Sequence, residues 1–267
     1  MDSSKIKLVL RKEWLQLKQQ RGLVLTTALL PFLFTLMPIG IIFAIGAAPT
    51  KGINGIDSLL DLARQNPSLA SLSLNELLQA AIGTPLSGIL LILPVLLPSI
   101  IASYSVVGEK VSGTLEPVLA TPITTFEFLF AKILTALIPS VGITWFFGLL
   151  YVMGLYFVTL SHNVFFAIIN LSWFILFIVC APLLSLSAIA VTVAASSRAT
   201  DPRTAQQISA IVIIPVVLVI AGQFTGLIIL SPIFSVILAI VLALLAVLTI
   251  WIATRVFARE AILTRWS

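Results

Sequence analysis

Four long stretches of the chain carry no Asp, Glu, Lys or Arg: residues 22–50, 77–108, 133–197 and 204–254. A hydrocarbon core of about 30 Å takes around 20 helical residues to cross. The first two stretches each hold one span, at about 23–47 and 85–107. The third holds two, at about 133–157 and 167–194, around the polar turn Ser161-His162-Asn163. The fourth divides at Ser231-Pro232 into spans at about 209–229 and 233–254. Porin-type strands alternate lipid-facing and lumen-facing positions over about ten residues, and no stretch here alternates. The pattern predicts an all-α polytopic membrane protein with six transmembrane helices, forming a single domain over residues 1–267.

Between the spans the periodicity changes. In residues 5–21, Ile6, Val9, Leu10, Trp14 and Leu17 share one side of a helical wheel, flanked by Lys7, Arg11, Lys12 and Lys18. That spacing predicts an interfacial amphipathic helix whose basic residues reach lipid phosphates. Glu13 intrudes into the apolar stripe, and Leu8 and Leu15 form a second apolar side suited to a partner protein. The segment 48–84 is too long for a simple turn. It predicts a short helix over Ile56–Gln65 and a second one behind Ser73-Leu74-Asn75-Glu76, which has capping-box spacing. Residues 108–132 form a connector in which Pro117 and Pro122 bracket a short element, so it bends instead of running straight. Thr124 and Glu127 again have capping-box spacing ahead of the third span.

Composition narrows the class further. With 60% apolar and 9% charged residues and a mean hydropathy of +1.17, the chain lies far from the roughly 25% charge of a soluble domain. A soluble enzyme, a disordered chain and a disulfide scaffold are excluded, the last because Cys180 is the sole cysteine. Lys and Arg are distributed unevenly. Thirteen lie in the amino-terminal segment, the 108–132 and 198–203 loops and the tail, whereas Lys51 and Arg64 alone lie on the other face. Such asymmetry places both termini in the cytoplasm and explains the net charge of +5 without nucleic acid. The first apolar stretch, about 25 residues long, exceeds the 7–15 of a signal-peptide core and is expected to be retained.

Catalytic chemistry finds little support. His162 is the only histidine and falls in a turn, the four gaps hold no Asp or Glu, and neither H-E-x-x-H nor G-x-S-x-G occurs. An ion-coupled transporter or channel is the rival class, but such proteins commonly keep ionisable groups in their spans. An energy source outside the chain suits an uncharged interior better, and that interior favours apolar or amphipathic cargo. Thr35, Ser99, Ser103, Tyr104, Ser140, Thr144, Asn170, Ser187 and Gln223 are each either pathway residues or helix–helix hydrogen-bond partners.

The 108–132 connector carries the most specific string. Glu109, Lys110, Gly113, Thr114, Leu115, Glu116, Leu119, Thr121, Pro122, Glu127 and Lys132 resemble the signature of the ABC-2-type permeases, the membrane subunits of one class of ATP-binding-cassette exporters. Val111, Pro117 and Ala131 depart from that signature, and Arg11-Lys12-Glu13-Trp14-Leu15 is similar to the family's stretch before its first span. The resemblance implies a permease that pairs with a second, identical copy and with two copies of a separate ATPase, in a prokaryotic cytoplasmic membrane. It implies that Glu13, Glu109, Gly113, Thr114, Leu115, Glu116, Leu119, Thr121 and Pro122 contact the ATPase through a coupling helix. The resemblance also implies that ATP and Mg are bound by that partner, with no cofactor or metal in this chain. No G-x-x-x-x-G-K-[ST] string occurs in the sequence.

Overall fold

The computed structural model describes residues 15, 21–47, 72–111, 125–196, 199, 201–225, 228 and 231–256. Within them the protein is helical, and six helical units are long and apolar enough to cross a membrane. The first is α1 (Arg21–Ala47). The second joins α2 (Leu74–Ser87), a 3₁₀ segment (Gly88–Ile92) and α3 (Leu93–Val111). The third is α4 (Thr125–Val158), followed by the short α5 (His162–Ile168). The fourth joins α6 (Leu171–Ile175), a π segment (Leu176–Cys180) and α7 (Ala181–Ser196). The fifth joins α8 (Pro202–Ser209), a 3₁₀ turn (Ala210–Val212) and α9 (Ile213–Phe224), and the sixth is α10 (Pro232–Val256). The helical expectation follows from lipid physics, because a segment in hydrocarbon must satisfy its own backbone N–H and C=O groups.

Side chains set the starts of these units. Ser73 donates both its N–H and its hydroxyl to Glu76 Oε2 at 2.7 Å, so the spacing read from sequence does cap a helix. That helix leads into the second span, as its position predicts. It runs through Pro85 into the 3₁₀ segment, and the apolar unit begins at Leu74, eleven residues earlier than the hydropathy pattern suggests. The turn after the third span also differs: Ser161 is extended, His162 and Asn163 open α5, and the fourth span starts only at Leu171. Asn170 causes that start, because its Oδ1 accepts the Trp173 N–H at 3.1 Å. Ser231 Oγ likewise accepts the Phe234 N–H at 3.2 Å, with Pro232 as the first residue of α10. The expected helices at 5–21 and Ile56–Gln65, and the Thr124 cap, lie outside the described residues apart from Leu15 and Arg21.

Burial divides the spans into inner and outer. Of the apolar windows, 78% of the second and 56% of the fourth are buried, against 17% of the sixth. α7 packs on α3, α4, α8 and α10, while α1 packs on α2 and α4. One apolar core draws on all six, including Ile42, Leu90, Tyr151, Leu184, Val212 and Leu242. Most buried hydroxyls turn inward on their own helix. Thr35, Ser99, Thr135, Thr192 and Ser196 donate to the carbonyl four residues back at 2.6–2.9 Å.

Two inter-helix bonds use carbonyls that prolines leave free. In α3 the Pro94 carbonyl would accept from residue 98, but Pro98 has no N–H; Ser185 Oγ of α7 donates to it at 2.8 Å. In the π segment the Ala181 N–H goes to the Leu176 carbonyl. The Phe177 carbonyl would then look to Pro182, again without an N–H, and Trp145 Nε1 of α4 supplies the bond at 3.1 Å.

Candidate functional site

Apart from Glu13, the residues that the sequence singles out for partner contact fall between Glu109 and Pro122 in the chain. α3 ends at Val111 and α4 starts at Thr125, so residues 112–124 join the second and third spans. Gly113, Thr114, Leu115, Glu116, Leu119, Thr121, Pro122 and Glu13 lie outside the described residues. Glu109 belongs to the last turn of α3, with its side chain outside them too. What the structure describes is the frame that carries this connector.

That frame is polar where its helices meet. Lys132 on α4 is 2% exposed, and its Nζ donates to Ser105 of α3 twice, at 3.1 Å to the carbonyl and 2.9 Å to Oγ. Two residues back along α3, the Ser103 hydroxyl accepts Gln206 Nε2 of α8 at 3.0 Å. Val107, Ala195, Ala199 and Ala205 form a small apolar cluster at the same end, uniting α3, α7 and α8. Sequence reading counts Lys132 among the basic residues of a loop, whereas the structure places it between two helices. Its flanks, Ala131, Ile133 and Leu134, carried that signal.

The opposite end has a comparable fastening. Gln79 is fully buried; its Nε2 donates to the Ile42 carbonyl at 3.0 Å and its Oε1 accepts the Leu160 N–H at 3.1 Å. One amide thus joins α1, α2 and the end of the third span. Gly46 makes room for it, since a Cβ there would overlap Gln79 Nε2.

The other polar candidates separate by role. Thr35, Ser99, Ser140 and Ser187 bond within their own helices, Ser103 bonds across to α8, and Asn170 caps α6. Thr144 Oγ1 and both amide atoms of Gln223 are buried with no hydrogen-bond partner among the described residues, as are Tyr151 Oη and Trp173 Nε1. Among the described residues no group of three His, Cys, Asp or Glu is placed to hold a metal.

A bundle of six apolar helices, two of them sheathed by the other four and tied by polar side chains at both ends, defines a multi-pass membrane protein. The family model for ABC-2 family transporter proteins matches residues 8–232, and the chain belongs to that family. The match ends where α10 begins. No curated protein matches the sequence. Family membership makes the chain the permease subunit of an ABC transporter and implies association with an ABC ATPase subunit.

Proposed function

We propose that this permease is the membrane half of an ATP-driven exporter, coupled to its ATPase through residues 108–132. The observation that carries this reading is the connector's position: it joins the most buried span to the third, at an end where α3, α4, α7 and α8 are fastened together. In this reading two identical permeases pair and engage two ATPases, which bind ATP and Mg. Glu13, Glu109, Gly113, Thr114, Leu115, Glu116, Leu119, Thr121 and Pro122 form the ATPase contact. Both termini face the cytoplasm of a prokaryotic cell, and the uncharged interior carries apolar or amphipathic cargo.

Native mass spectrometry from detergent tests the assembly. The expected particle holds two permeases and two ATPases; a stable particle with one of each overturns the pairing. Orientation is tested separately by cysteines at Ser58 and Ser197 in a Cys180→Ala background. An impermeant maleimide should label Ser58→Cys and not Ser197→Cys in intact cells, and the opposite pattern reverses the topology.

A further inference from the structure

Lys132 is expensive where it sits. An amine removed from water loses its hydration unless hydrogen bonds replace it, and an apolar residue would fill the same space without that cost. The bonds it makes are specific in direction. Two of its acceptors belong to one residue of the facing helix, the carbonyl and the hydroxyl of Ser105. Ser105 lies six residues before the end of α3 and Lys132 seven after the start of α4. At 1.5 Å per residue the joint stands about 10 Å from the mouth of the 112–124 connector, level on both legs.

Apolar helix faces in lipid resist sliding weakly, because the hydrocarbon around them is as apolar as the faces themselves. A bond from Nζ to a backbone carbonyl resists it, since axial displacement breaks the bond where Lys132 and Ser105 are buried from water. The adjacent bond from Gln206 to Ser103 adds α8 to the same level of α3.

We propose that Lys132 is a positioning residue for coupling, which pins α3 to α4 so that a push on residues 112–124 moves the second and third spans as one body. Without the pin, the push splays the two legs and is lost before it reaches the bundle. The inference rests on the reading of 108–132 as the ATPase-facing segment.

The test compares wild type, Lys132→Met, Lys132→Arg and Ser105→Ala, each with Cys180→Ala and spin labels at Ile100 on α3 and Ile138 on α4. Each permease is reconstituted with its ATPase in vesicles of phosphatidylethanolamine and phosphatidylglycerol. The inter-label distance is read without nucleotide and after trapping with ATP and vanadate, and ATPase recovery is measured in parallel. Wild type and Lys132→Arg should give one narrow distance that nucleotide leaves unchanged. Lys132→Met should lose it for a broad, nucleotide-dependent distribution, and Ser105→Ala, which keeps the carbonyl, should fall between. ATPase recovery should be equal in all four. A narrow, unchanging distance in Lys132→Met overturns the inference, as does a wild-type distance that shifts with nucleotide. If Lys132→Met fails to insert, a wild-type distance in Ser105→Ala overturns it. Absence of ATPase with the wild-type permease removes the coupling reading and the inference with it.

Discussion

Glu116→Arg is expected to abolish transport and to weaken ATPase recovery by roughly ten- to a hundredfold, while the permease still inserts and pairs. Leu115 and Leu119 stand four apart in the sequence, the spacing of one apolar ridge on a helix, and Glu116 adjoins Leu115. A hydrogen bond to a charged group contributes about 1.5–3 kcal/mol, and each 1.4 kcal/mol is a factor of ten in affinity. Reversing the sign removes that contact and sets like charges together wherever the proposed contact pairs Glu116 with a basic group of the ATPase. Asp57→Lys, on the other side of the proposed topology, should leave recovery at the wild-type value. Pull-down of the ATPase from detergent decides the matter, and equal recovery for Glu116→Arg and wild type removes residues 108–132 as the coupling element.

The second large effect is expected at a glycine. On α4, a Cβ at Gly148 would overlap the Phe177 ring, with two further ring carbons at 2.8 and 2.9 Å. That ring cannot swing away freely. Phe177 is 4% exposed and stacks on Trp173 with ring centroids 4.7 Å apart and planes 8° apart. Its carbonyl is held by Trp145 from the same α4. Gly148→Leu therefore pushes the third span off the fourth, at the upper end of the roughly 1–3 kcal/mol typical of overpacking or beyond it. At Gly142, exposed on the same helix, an added Cβ meets nothing within 4 Å, and Gly142→Leu should be neutral. Thermal unfolding in detergent should show a large drop for Gly148→Leu and none for Gly142→Leu, with Phe177→Ala partly restoring the former. Equal melting of the two leucine variants would discard the close approach.

The number of spans was legible because charge is so costly in hydrocarbon that its absence marks each crossing. Start signals were legible too where a side chain makes a local bond, as Ser73 and Glu76 do. Neighbours were not. A helix that is apolar on every side carries no amphipathic stripe to say which face is covered, so nothing in the periodicity distinguished the deeply buried second span from the exposed sixth. For the same reason Ser103, Ser99 and Asn170 were indistinguishable as pathway residues, packing bonds or caps until their partners were known. Lys132 shows the converse failure. Counted by charge it belonged to a loop, and only its separation of 27 residues from Ser105, across the connector, reveals what it holds. The candidate contact string at 109–122 was readable through resemblance alone, since its residues are individually ordinary.

The proline-freed carbonyls have a consequence for assembly. α3 and the fourth span each enter the bilayer carrying an acceptor that their own backbone does not fill, and in hydrocarbon an empty acceptor costs several kcal/mol. The Pro94 carbonyl finds its donor only when Ser185 lies level with it, and the Phe177 carbonyl only when Trp145 does. A shift of one turn leaves both empty. Prolines known chiefly for bending helices here act as a docking code: by deleting a donor in one helix, Pro98 and Pro182 specify the register at which its neighbour must stop.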